Sequence, residues 1–332
     1  MLNYITFPEW LKPEIIPPLP FRWYAVMYIV AFGITYLLFN FQVKERKLEV
    51  KKDDVANFFL CGILGLIIGA RLLSVLVYDQ SGKNPFLAFL PFEIGNGQFR
   101  FTGFQGMSYH GGAIGCAIGI IIYCKLKKIS ILDWCDMVAV GVPLGYAFGR
   151  IGNFINAELY GRVTTMPWGM IFPHAELSTN DPWVVETAKQ LNLYSNGAQT
   201  VNLPRHPSQL YESFFEGIFI WLIMWFLLRK KKPFNGFLLG MYVILYGTVR
   251  FVLEYFRQPD AGIDFPIKFV DVPNPIYRFI TPFNFSTGQI LCFLMILGGT
   301  ISLILFSKYN KFKMSVPTQQ KIDMKKLQKR IK

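Results

Sequence analysis

The residues best suited to chemistry lie in GRIGNFINAELYGRVT (149–164). There Arg150, Asn153, Asn156, Glu158 and Arg162 fall within thirteen residues, directly after the apolar run MVAVGVPLGYAF. A guanidinium fork offers paired hydrogen bonds to phosphate oxygens. Gly149, Gly152 and Gly161 would let backbone amides come close to an anion. Ionisable residues recur in or beside other apolar segments: Arg71, His110 in QGMSYHGGAIG, His206 in HPSQ, and Arg250 with Glu254 at i and i+4. A neutral histidine accepts a proton near neutral pH. Each residue alone also has a structural explanation. Arg250 and Glu254 can neutralise each other on one helix face, Arg71 can reach toward lipid headgroups, and either histidine can serve packing. Their weight depends on whether they share one place.

The elements that position them are apolar helices. The 332 residues are 52% apolar and 17% charged, against about 25% charged in soluble domains. Seven segments can each span about 30 Å of hydrocarbon: 22–42, 57–78, 106–124, 133–150, 209–228, 236–256 and 287–307. The fourth is the weakest, being short and glycine-rich with Pro143 inside it. Lys and Arg number 21 in the links 43–56, 125–132, 229–235 and the tail, against 11 in the alternate links. Basic links face the cytoplasm. The chain therefore reads as an all-α integral membrane protein with seven transmembrane helices, N-terminus outside and C-terminus cytoplasmic. Its parts are an interfacial segment (1–21), a membrane domain (22–307) with an extracytoplasmic insertion (151–208), and a basic tail (308–332).

The net charge of +13 comes in blocks between apolar runs, a topology pattern rather than a nucleic-acid groove. The N-terminus has five prolines and no basic stretch, unlike a cleavable signal peptide. Five cysteines form no C-x-x-C pair and read as packing residues. Three histidines in separate segments offer no metal-ligand spacing, and no cofactor is implied.

Orientation gives each polar residue a depth. Arg71 falls roughly 10 Å below the outer surface at 1.5 Å per residue. Tyr24, His110, Arg150, His206, Arg250 and Glu254 reach the same outer third. Six helices thus bring polar groups to one level, with cations in surplus. That suits a phosphate at the outer leaflet and a proton to be moved, which is chemistry on a phospholipid headgroup. A secondary transporter is the main rival, although transporters place their sites near the midplane. Another lipid-headgroup transferase is a second.

The motifs then resemble one family. GRIGNFINAELYG is similar to the signature G-R-x-G-N-F-x-N-x-E-x-x-G of the bacterial prolipoprotein diacylglyceryl transferases. FRWYAVMY (21–28), GARL (69–72), SYHGG (108–112), HPSQLYE (206–212) and YGTVRFVLEYFRQPD (246–260) resemble the same family in the same order. The resemblance implies a multi-pass protein of the bacterial inner membrane with its active site on the extracytoplasmic side. Its partners would be phosphatidylglycerol, membrane lipids and prolipoprotein signal peptides carrying a lipobox cysteine. The diacylglyceryl group would pass to that thiol, releasing glycerol 1-phosphate. Carried over, Arg150 and Arg250 hold the phosphate, and Glu158 and Glu254 orient them. Asn153 and Asn156 fix the headgroup, with Gly161 beside them. Tyr24, Arg71, Tyr246 and Arg257 line the cavity. For the thiol's proton, His110 is the first candidate base and His206 the second; the third reading is an arginine field with no base.

Overall fold

The computed structural model describes residues 4–16, 22–78, 89, 92–95, 98–101, 107–259 and 265–309. The basic tail set apart by the sequence lies, beyond residue 309, outside the described residues, as does most of the link 79–105.

Helices stand at all seven predicted positions. They are α1 (Trp23–Glu45), α2 (Lys52–Leu73, continued by a π-helical turn over Ser74–Tyr78), α3 (Tyr109–Leu126) and α4 (Ile131–Ile155). After a short α5 (Pro182–Gln190) come α6 (Ser208–Lys231), α7 (Phe237–Leu253) and α8 (Thr287–Tyr309). Five of them, α1, α2, α4, α6 and α8, are long and apolar enough to cross a membrane, while α3 and α7 are shorter apolar helices. The fourth segment departs from expectation. Far from short, α4 has 25 residues and runs to Ile155 with Pro143 inside it. Arg150 and Asn153 therefore stand on its last turns, and the insertion begins after them.

The chain forms two compact units. One takes the described residues of Met1–Phe39 and Asp136–Met314; the other includes those of Asn40–Cys135. In the second unit α2 and α3 pack through glycines. A Cβ on Gly65 would strike the Gly115 carbonyl oxygen, and one on Gly69 the Gly111 oxygen; one on Gly115 would also lie 2.9 Å from the Gly69 Cα. Only small residues allow such backbone contact. We expect Gly115→Leu to cost more than about 3 kcal/mol, the upper end of overpacking penalties. Thermal unfolding in detergent checks this, with Gly33→Ala, which meets nothing within 4 Å, expected to leave stability unchanged.

In the first unit α4, α6 and α7 share a core of Ala139, Val140, Ile220, Met224 and Leu238. Four short strands belong with the insertion. β1 (Ile5–Thr6) pairs in parallel with β2 (Met170–Ile171), while β3 (Glu176–Ser178) pairs antiparallel with β4 (Thr200–Asn202). Phe7 packs on Phe154 and Phe172, with ring centroids 5.4 and 5.5 Å apart. The N-terminal segment is therefore built into the insertion. Trp183, Val184 and Ala188 of α5 close a second core over Val201 and Leu203.

Candidate active site

Close approach of α4 and α6 creates the site. A Cβ on Gly217 would lie 2.9 Å from the Ala147 Cα, and Ser213 Oγ donates to the Ala147 carbonyl at 3.0 Å. With small residues at the contact, Tyr146 and Arg150 of α4 face Glu212 and Glu216 of α6. A π-helical stretch over Ser213–Phe219 begins directly after Glu212 and contains Glu216; such widened turns recur at functional sites. From α7 and the turn after it come Arg250, Glu254 and Arg257.

These groups form one buried network. Arg150 Nε lies 2.8 Å from Glu212 Oε2 and donates to Tyr146 Oη at 2.6 Å. The Tyr146 hydroxyl in turn donates to Glu216. Arg250 Nη1 reaches Glu212 at 3.2 Å and Glu216 at 3.3 Å, while its Nη2 reaches Glu254 at 3.2 Å. Arg257 lies 3.9 Å from Glu212 and 4.0 Å from Glu254. The ring of Tyr246 stands edge-on to that of Tyr146 at 5.8 Å. Glu254 is braced at the start of α8: Ser286, just before the helix, donates its Oγ–H to it at 3.3 Å, and a Cβ on Gly288 would lie 2.6 Å from its oxygen.

The signature after α4 wraps back on this network. Ala157 and Leu159 adopt positive φ of 54° and 56°, a costly conformation for residues other than glycine. Gln209 Nε2 donates to the Glu158 carbonyl at 2.6 Å and Ser208 Oγ to the Leu159 carbonyl at 3.1 Å, which holds the loop. Glu158 thereby accepts from Asn153 Nδ2 at 2.8 Å and Asn156 Nδ2 at 3.2 Å. Asn153 Oδ1 accepts from Arg150 at 3.2 Å, so Glu158 orients Arg150 through Asn153. The Asn156 Oδ1 is buried with no hydrogen-bond partner among the described residues. Tyr24 packs on Gly152, whose added Cβ would sit 3.1 Å from its ring.

Two expectations need correction. The glycines do not lend amides to a ligand. Gly149 and Gly152 lie inside α4, where N–H groups are spent on the helix ladder. Gly161 N–H donates to the His206 carbonyl at 2.8 Å, and a Cβ there would lie 2.8 Å from the His206 Cβ. It is needed because two backbones cross. Nor are cations in surplus in the network, since Arg150, Arg250 and Arg257 face Glu212, Glu216 and Glu254. The sequence reading missed Glu212, Glu216 and Tyr146. Their signal was present: two carboxylates at i and i+4 inside an apolar span need cationic partners.

His206 is wedged edge-on against Phe256 and Tyr211, with ring centroids 5.3 and 5.9 Å away. Its Nδ1 lies 3.2 Å from the Tyr211 hydroxyl, which accepts from Trp168 Nε1 at 2.8 Å. Burial, helped by the Arg162 charge, lowers its pKa to about 4. Arg71 and His110 belong to the second unit. There Ser108 N–H donates to the Ala70 carbonyl at 3.0 Å, which sets both residues at the same end of the α2–α3 pair. His110 is exposed, and Arg71 Nε donates to the Phe89 carbonyl at 3.3 Å.

Comparison with known proteins decides what this arrangement belongs to. A family model described as prolipoprotein diacylglyceryl transferase matches residues 13–305. The chain belongs to the prolipoprotein diacylglyceryl transferase family. Among its relatives is the phosphatidylglycerol–prolipoprotein diacylglyceryl transferase of Treponema denticola, 52% identical over 331 residues, covering 94% of this chain and 98% of the relative. The transferase of the same name from Treponema pallidum is 48% identical, covering 92% and 96%. That of Borrelia garinii is 42% identical, covering 93% and 95%. The matched residues take in all of α4, α6 and α7, which carry the network described above. Family membership also agrees with a multi-pass, all-α protein of a bacterial membrane.

Proposed function

We propose that this protein transfers the diacylglyceryl group of phosphatidylglycerol to the cysteine thiol of a prolipoprotein lipobox, the first step of lipoprotein maturation. The observation that carries the reading is the one-sided exposure of the network. The side chains of Arg150, Arg250 and Arg257 are 17%, 11% and 14% exposed, against 1%, 0% and 3% for Glu212, Glu216 and Glu254. The guanidiniums are the face a ligand meets, and the carboxylates stand behind them.

The chemistry is displacement at carbon. The thiolate sulfur attacks the glyceryl carbon that bears the phosphate, and a C–S bond forms as the C–O bond breaks. The electron pair leaves on the phosphate oxygen, giving a thioether and glycerol 1-phosphate. Negative charge grows on the phosphate as the bond breaks, which is where preorganised guanidiniums act. Asn156, with its unmatched Oδ1, accepts from a hydroxyl of the glycerol headgroup. Tyr24 and Tyr246 complete the lining. A free thiol titrates near 8.5, so a base assists, and we assign that role to His110. The tied and weakly basic His206 serves as a strut. The charge count of the links supports seven spans with the N-terminus outside and the site facing the extracytoplasmic side of the inner membrane.

Purified protein given phosphatidylglycerol and a lipobox peptide is expected to produce a thioether adduct, read by mass spectrometry. Replacing the peptide's cysteine with serine should abolish it. No adduct, or a yield indifferent to serine, overturns the function.

A further inference from the structure

Glu212 takes no part in the bond changes above, yet it is the most connected carboxylate in the network. One of its oxygens lies 2.8 Å from Arg150 Nε; the other lies 3.2 Å from Arg250 Nη1 and 3.9 Å from Arg257 Nε. Glu254 meets two of the three arginines, and Glu216 meets Arg250 and the Tyr146 hydroxyl. Among the described residues only Glu212 lies within 4 Å of all three guanidiniums, and its side chain is 1% exposed, behind them.

Charge arithmetic gives that position a purpose. With Glu212, Glu216 and Glu254 ionised, the three guanidiniums they face are balanced and that cluster is neutral. A phosphodiester substrate brings one negative charge, whereas a phosphate monoester carries about −1.5 to −2 at neutral pH. Three uncompensated arginines would grip the departing monoester more tightly than the arriving diester, and turnover would stall on release.

We propose that Glu212 is a positioning residue that anchors Arg150, Arg250 and Arg257 from behind and, by its charge, prevents them from trapping the phosphate product. The proposal rests on the transferase reading for the identity of that product.

The test compares glycerol 1-phosphate binding to the full-length protein in detergent, wild type against Glu212→Gln, alongside product inhibition of transfer. Removing one buried negative charge beside the anion is expected to tighten binding by about tenfold. Product inhibition should strengthen and kcat should fall, with no rise in KM for phosphatidylglycerol. A purely structural anchor has the opposite sign, because slack guanidiniums bind an anion more weakly. Equal or weaker binding by Glu212→Gln therefore overturns the proposal. If that variant does not fold, Glu212→Asp decides, since it keeps the charge and shortens the reach. Its product affinity should stay within about threefold of wild type while kcat falls, and a larger change in either direction overturns the proposal. Binding is read without acceptor peptide. Absence of thioether formation by the wild type counts against the transferase reading, and an unaltered product affinity in Glu212→Gln counts against the role of Glu212 alone.

Discussion

Arg150→Ala is expected to lower diacylglyceryl transfer by about 10³-fold or more, and Arg250→Ala by at least as much. A single preorganised donor to a developing oxyanion is worth about 10²–10³ in rate, and an arginine on transition-state phosphate charge about 10³–10⁵. The two losses differ in their structural cost. Without Arg150, Glu212 keeps Arg250 and Arg257 within 3.2 and 3.9 Å, so the fold should survive. Without Arg250, the described ion pair of Glu216 is lost, leaving it the Tyr146 hydroxyl. Stripping the partner from a buried charge costs about 3–5 kcal/mol, so Arg250→Ala should also unfold at lower temperature. Lysine separates charge from geometry. It keeps the cation and loses the fork, so Arg150→Lys should remain severely impaired with near-wild-type unfolding. Near-full transfer by Arg150→Lys would sink the bidentate role. Activity is measured with phosphatidylglycerol and a lipobox peptide, beside thermal unfolding of each variant.

The contrast between Arg150 and Arg250 shows what was legible in the sequence. Apolar runs of about twenty residues are read from hydropathy, and helices stand at every predicted position. Arg150, Asn153, Glu158, Arg250 and Glu254 announced themselves as polar groups in or beside such runs, and the structure joins them in one network. Glu212 and Glu216 went unread because the reading followed cations toward a phosphate, while a buried guanidinium first needs a carboxylate. Which carboxylate it finds depends on the α4–α6 approach at Ala147 and Gly217, a tertiary fact with no linear signature. Gly161 was misread for a related reason. In sequence, a glycine that lets a ligand approach looks the same as one that lets another strand approach. Its partner, the His206 carbonyl, lies far along the chain. The length of α4 was misjudged because Pro143 suggests a break, yet Gly141 and Gly145 on either side of it pack against Thr35 and Ala31 of α1, and the helix runs on.

The second large effect concerns the thiol's proton. His110→Asn is expected to lower kcat/KM by about 10²–10⁴-fold, the usual contribution of a general base, and to remove the acidic limb of the pH profile. His206→Asn should leave that limb in place. The sign follows from the lowered pKa of His206, near 4. Above pH 5 this ring is already neutral and available, so a mechanism using it would lose rate only as pH falls toward 4. So weak a base also leaves a thiol of pKa near 8.5 almost wholly protonated. Folding stability responds in the same window. The unfolded chain takes up this proton near 6.5 and the native state only near 4, so the wild type loses stability as pH falls between those values, and His206→Asn should lose less. If His206→Asn instead abolishes an acidic limb centred near pH 4 while His110→Asn retains its rate, the assignment is reversed. If neither substitution moves the limb, the arginine field alone activates the thiol. Transfer would then fall with Arg150 and Arg250 and with no histidine, a pattern the same set of variants reads directly.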